Sequence, residues 1–198
     1  MLLKIVQAGT PVLRQKARTL TPAEVRGAPV QSLIDLMRET MRDAPGVGLA
    51  APQIGEGLRL AVIEDSVTRE ELERAPVPFH VIINPELRFV ADSPGHPPTM
   101  IDHFEGCLSV DGYQAIVQRS RRVQVSALDH RGEPITIDAT GWYARILQHE
   151  IDHLNGILYI DRMRTRTLST PSNLGAFWLG QSPGEIVAAL GEGDIAKR

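Results

Sequence analysis

Residues 149–153 read His149-Glu150-Ile151-Asp152-His153, an H-E-x-x-H pattern. On a helix, residues four apart share a face with Cβ atoms about 5–6 Å apart. Two imidazoles at that spacing can hold one metal ion at ~2.0–2.1 Å. Glu150 between them lies close enough to act on a water at that ion without ligating it. The pattern therefore supplies two metal ligands, His149 and His153, and a general base. Histidines at helical spacing can also be plain core or surface groups, but the complete pattern is rare enough by composition to favour the metal.

A third ligand must come from elsewhere in the chain. The position six beyond His153, where one class of zinc peptidase continues with histidine, is Tyr159. Another class uses a glutamate some twenty residues downstream, and the stretch from Ile151 to Gly184 contains none. The strong candidate is the single cysteine, Cys107, in Glu105-Gly106-Cys107-Leu108-Ser109. A thiolate binds borderline and soft divalent metals well. His103 is a weaker rival. Three protein ligands leave one position open, the arrangement of a catalytic rather than a structural site.

The elements that must position these residues are legible in part. A helix is expected from about 141 to 155, with Gly156 placed as its cap. Ala144, Leu147, Ile151 and Leu154 make one apolar stripe suited to a core. Trp142, Ile146, His149 and His153 make a second, which sets a tryptophan and an isoleucine beside the metal as the wall of an apolar pocket. Upstream, Thr21-Pro22-Ala23-Glu24 has the form of a capping box. Val30, Leu33, Ile34, Met37 and Met41 then recur at helical spacing, and that helix should end near Asp43. Residues 46–55 read as a glycine-rich bend. Strands are expected at 58–63, 79–83, 101–106, 114–118 and 122–128, with a hairpin turn at 129–133 leading into 135–137. The tail after Arg166 is rich in Ser, Thr, Pro and Gly. It is expected to wrap the surface, with one short helix following Ser182-Pro183-Gly184-Glu185.

An order of helix, many strands, helix predicts an α+β fold: mixed, largely antiparallel sheets around the central H-E-x-x-H helix, with an N-terminal helix. The 198 residues, 42% hydrophobic and 23% charged, suit one globular domain. We expect a catalytic domain over 1–166 and an extension over 167–198 packed on it or trailing from it. A net charge of −3 leaves no basic surplus for gripping nucleic acid, although Arg119, Arg121 and Arg122 make a candidate local patch. No apolar run reaches the ~18–20 residues of a membrane helix. A lone cysteine builds no disulfide framework, and the apolar run at the N-terminus is too short for a secretory signal, so a cytoplasmic location is expected.

Three ordered segments, Gly46-Val47-Gly48-Leu49-Ala50-Ala51-Pro52-Gln53, Glu105-Gly106-Cys107-Leu108-Ser109 and Gln148-His149-Glu150-Ile151-Asp152-His153, resemble the three motifs of the peptide deformylase family. The opening Gln7-Ala8-Gly9-Thr10-Pro11-Val12-Leu13-Arg14 is similar to that family's start, and the resemblance runs from about Ile5 to Met163. Gly141-Trp142-Tyr143-Ala144-Arg145 looks like the subgroup that includes organellar enzymes.

The resemblance implies removal of the N-formyl group from N-formyl-methionyl nascent peptides, with release of formate. It implies that Cys107, His149 and His153 hold one divalent metal ion and that Glu150 is the acid/base. Gln53 through its amide, and Leu108 through its backbone N–H, would stabilise the oxyanion. Val47, Trp142 and Ile146 would line the methionine slot, and peptide would pair with the backbone near Val47 and Gly48. The family typically works with Fe(II) and is often isolated with Zn(II) or Ni(II). Transient association with the ribosome is expected, and neither a membrane nor sequence-specific nucleic acid is. Two positions depart from the family pattern. Asp111 stands where proline is usual, and Gln114 stands where many bacterial members have an arginine that helps bind the peptide. Asp111 places an acid near the entrance, where it would disfavour acidic residues early in the peptide.

Overall fold

The computed structural model describes residues 2–178 and 180–191. Five antiparallel strands form one sheet in the order β1 (Gly48–Ala50), β2 (Leu60–Asp65), β3 (Val77–Phe89), β6 (Arg122–Leu128), β7 (Pro134–Thr140). β4 (Met100–Cys107) and β5 (Val110–Ser120) form a separate two-stranded hairpin. The α+β expectation holds, but the sheets are not mixed: every pairing within them is antiparallel. None of the described helices is long and apolar enough to cross a membrane.

The run Leu60-Ala61-Val62-Ile63 has no alternation because both faces of β2 are covered. Leu60 and Val62 pack with Ile34, Met37 and Met41 of α2 (Ala28–Asp43), whereas Ala61 and Ile63 pack with Leu147, Ile151 and Leu154 of α3 (Gly141–Leu154). β3 divides likewise, with Val81 and Ile83 on the first side and Ile82 on the second. Truncating a fully buried leucine such as Leu147 to alanine would cost about 2–5 kcal/mol.

Two local expectations are refined. The N-terminal helical pattern is two helices, α1 (Pro22–Arg26) and α2, because Gly27 takes an extended ψ of 143° between them. The Thr21 capping box is present: the Glu24 N–H donates to Thr21 Oγ1, and the Thr21 N–H donates to Glu24 Oε2. The glycine-rich bend contains β1, too short and too glycine-rich to register as a strand. α3 ends within one residue of the expectation, with Gly156 at φ +75° directly after its C-cap Asn155. A Cβ there would meet the Arg14 backbone at 2.8 Å.

Candidate active site

α3 presents His149 and Glu150 to a cleft between β1 and the β4–β5 hairpin, with His153 buried behind them, and Cys107 arrives at the end of β4. The ligand atoms of Cys107, His149 and His153 lie within 4.8 Å of one another. Cys107 Sγ is 3.2 Å from His153 Nε2. Donors bound to one ion at ~2.0–2.3 Å lie roughly 3–3.6 Å apart, so these residues fit a shared cation. His103 is not in the group. Its ring packs edge-on against Trp142 at 5.0 Å, and its Nδ1 meets the Phe104 carbonyl.

Glu105 fixes the orientation of His149. Its Oε2 accepts from His149 Nδ1 at 3.1 Å, which leaves the other ring nitrogen for the centre. The Glu105 carboxylate also accepts two bonds from Arg119 and one from Arg145, and its pKa falls well below the usual range. Burial alone would raise it, but the bonds from His149 and Arg119 outweigh that penalty. Arg119 also donates to Asp152, which accepts a forked pair from Arg162. Burial opposes a charged His149 ring, yet its bonds to Cys107 and Glu105 hold its pKa well above the ordinary value. Burial and the neighbouring His149 charge push the His153 pKa well below its ordinary value, so that ring stays neutral, the form that binds a cation.

Glu150 is 4% exposed, and its Oε2 has no hydrogen-bond partner. Burial pushes its pKa up to about 7, against the opposing charge of His149. β1 leaves room for it only because residue 48 is glycine: a Cβ there would lie 2.3 Å from Glu150 Oε1. Gln53 is buried, and its Oε1 accepts from the Ala50 N–H at 2.7 Å. That bond turns the amide NH2 inward, 3.6 Å from Cys107 Sγ.

The cavity around these groups is about 1000 Å³. Val47, Gly48, Leu108, Trp142 and Ile146 all line it, so the sequence-selected residues meet in one place. Asp111 and Gln114 line it as well. Gln7 steadies the loop after Cys107, donating to the Leu108 carbonyl and accepting from the Asp111 N–H.

Sequence reasoning missed the Glu105–Arg119–Asp152 network and the role of Arg145. The available signal was two acids inside the site motifs, Glu105 and Asp152, with no assigned task. The candidate basic patch is corrected here. Arg119 is buried in ion pairs, Arg121 pairs with Glu73 and Asp92, and Arg122 lies 4.0 Å from Asp92. Carboxylates thus face all three arginines, and Arg119 is withdrawn from the surface altogether.

The family described as Polypeptide deformylase matches residues 2–168. Peptide deformylase 3 of Streptomyces avermitilis is 45% identical over 196 residues, covering 96% of this chain and 84% of the relative. A chloroplastic/mitochondrial peptide deformylase 1A of Arabidopsis thaliana is 46% identical over 180 residues, covering 86% of this chain and 65% of the relative. Among solved structures, a Met-Ala-Ser-bound peptide deformylase of Acinetobacter baumannii aligns with a TM-score of 0.74 at 32% identity, covering 82% of this chain and 99% of that one.

Proposed function

The chain belongs to the peptide deformylase family, metal-dependent hydrolases that remove the N-formyl group from the N-terminal methionine of new polypeptides, and from that premise we propose how its own residues divide the work. Cys107, His149 and His153 hold one divalent ion. Once bound, the ion supplies a Lewis acid for the formyl carbonyl and an activated water.

Glu150 moves the proton. Its unpartnered Oε2 accepts a proton from the attacking water, and the carboxyl then delivers that proton to the departing amine nitrogen. The formyl C–N bond breaks, the water oxygen stays on carbon, and formate leaves a free N-terminus. A carboxyl with a pKa near 7 passes protons in both directions at neutral pH. Gln53 donates its amide N–H to the carbonyl oxygen as negative charge builds there, already aimed by the Ala50 bond. The Leu108 backbone N–H serves the same oxygen. The methionine side chain lies against Val47, Trp142 and Ile146, and burying it contributes about 1.5–3 kcal/mol. The peptide backbone runs beside Val47 and Gly48, where β1 has a strand partner on one side only.

The ion is Fe(II) in the working enzyme on this reading, with Zn(II) or Ni(II) taken up on isolation. A thiolate with two imidazoles suits each of these borderline metals. Action in the cytoplasm, on chains still at the ribosome, follows from where formylated N-termini are made.

The observation that carries this reading is the meeting of Cys107 Sγ with the histidine pair, beside a buried and unpartnered Glu150 oxygen. The test is formate release from formyl-Met-Ala by anaerobically prepared protein, with elemental analysis of the same sample. Glu150→Ala should keep its metal and lose turnover by at least about a thousandfold. A variant that keeps both metal and turnover sinks the proton assignment.

A further inference from the structure

We propose that the C-terminal segment around Leu174 and Trp178 is the outer wall of the peptide cleft and selects apolar side chains at the second and third residues of the formylated substrate. This rests on the deformylase reading and names specificity residues that the three motifs do not contain.

The chain is led to the cleft by backbone bonds. Met163 bridges to Val117, and the Thr167 hydroxyl accepts from the Ile116 N–H. Ser169 and Gln114 then exchange two N–H···O bonds of 2.8 Å. Residues 163–169 thus run beside β5 and satisfy the Gln114 backbone, so that position is closed to strand pairing with a substrate. Past Thr170, whose hydroxyl accepts from the Asn173 N–H, the short helix α4 (Pro171–Asn173) runs into a π-helical turn, Leu174–Trp178. Wide turns of this kind are uncommon and concentrate at functional sites. The helix α5 (Pro183–Ala189) then packs on β4, opened by a Ser182–Glu185 capping box and anchored by Ile186, 2% exposed.

Leu174, Trp178 and Ile186 therefore line the same cavity as Cys107 and Glu150. Leu174 and Trp178 are four residues apart on one side of the turn and only half-buried, whereas Phe177 is 67% exposed and lines no part of the cavity. Side chains serving only to pack the segment would be covered like Ile186. Half-covered apolar groups on a concave wall are instead available to a ligand. The cavity, about 1000 Å³, is at the upper end for ligand pockets and exceeds what one methionine fills. An extended peptide advances about 3.3 Å per residue, so the residues after methionine lie between β1 and this wall.

The test compares formyl-Met-Ala with formyl-Met-Leu-Phe on the metal-loaded full chain. Trp178→Ala and Leu174→Ala should each lower kcat/KM for formyl-Met-Leu-Phe about five- to twentyfold, through KM, and stay within about twofold on formyl-Met-Ala. Phe177→Ala should change neither. A second readout uses the intrinsic fluorescence of the unaltered protein, whose two tryptophans both line the cavity. The product Met-Leu-Phe should perturb that emission, and Trp178→Phe should remove part of the change. Equal losses on both substrates, or an unchanged KM for the longer one, overturn the proposal. Absence of formate release from either substrate by the unaltered protein would sink the deformylase reading and this inference with it.

Discussion

Gly48→Ala should cripple turnover while leaving the metal in place. An added Cβ would lie 2.3 Å from Glu150 Oε1, 2.6 Å from its Cδ and 2.8 Å from its Cγ. Comfortable non-bonded separations are roughly 3.5–4.0 Å, so something must yield by about 1 Å. β1 cannot move far, because Gly48, Leu49 and Ala50 are buried and registered against Ile63, Val62 and Ala61 of β2. The Glu150 side chain is the part that shifts, away from the atoms it serves. Misplacing a reacting group by about 1 Å costs on the order of a hundredfold in rate. Overpacking adds about 1–3 kcal/mol of destabilisation, or roughly 2–12 °C in melting temperature for a chain of this size. The assay is kcat for formate release, read beside metal per chain and a melting curve. Metal content should hold, since the nearest contacts of the new Cβ all belong to Glu150. Gly57→Ala is the control: its Cβ meets only Val12, at 4.0 Å, and should be nearly neutral. A folded Gly48→Ala protein with kcat within about threefold of the parent would refute the claim that this glycine sets the position of the base.

Gln53→Ala should lower kcat by about a hundred- to a thousandfold with KM little changed, because it removes the proposed oxyanion donor; a loss through KM alone would argue for a binding role. Glu105→Gln should weaken metal affinity by about ten- to a hundredfold in a chelator competition and cost about 3–5 kcal/mol in denaturant unfolding, since it leaves buried Arg145 without its carboxylate and Arg119 with Asp152 alone. The folded pKa of Glu105 is depressed, so its contribution to stability is complete above the ordinary glutamate value of 4.5 and is lost as pH falls toward the folded value. Acid unfolding of the parent should therefore begin below about pH 4.5 and lose part of its slope in the glutamine variant. At the mouth, exposed Asp111 should make formyl-Met peptides with lysine at the next positions a few-fold better than those with glutamate, and Asp111→Asn should remove the difference. Equal rates in the parent would dismiss that role.

The H-E-x-x-H helix was legible because its chemistry and its period lie in consecutive residues, and α3 spans 141–154 against an expected 141–155. β6 was legible for a related reason, since Val123, Val125 and Ala127 are buried in alternation. β1 was not, because three residues carry no period and its identity comes from pairing with β2. The break at Gly27 was missed because the Thr21 capping box and the apolar stripe that begins at Val30 read as one helix, although Gly27-Ala28-Pro29 opens a second. Cys107 could be ranked first as third ligand only by elimination and by resemblance, because the distance between β4 and α3 is a property of the fold. The tail was expected to wrap the surface with one short helix after Ser182, which α5 matches, but nothing in its composition marked Leu174 and Trp178 as lining the cleft.

What was least legible is what holds the site together. The proposed metal ligands come from two units, the β4–β5 hairpin and α3, and the apolar contact beneath Cys107 is a small cluster of Ala115, Val117 and Tyr159. The remaining connection is a pair of neutral bonds between Gln148 and the Ser120 backbone, a His103–Trp142 ring contact and an ionic network. Glu105 of β4 is tied to Arg119 of β5, and both reach α3, through Arg145, His149 and Asp152. Arg145 adds bonds to the Ile101 and Val117 carbonyls, one on each hairpin strand. Buried ion pairs add little net stability, since desolvation offsets most of their attraction. Their directional bonds nevertheless tolerate only a narrow range of distances and angles, whereas an apolar seam can slide. A site that needs a sulfur and two imidazoles within a few ångströms therefore gains more from this clamp than from an equal area of leucine, which accounts for the burial of Glu105, Arg119, Arg145 and Asp152 around it.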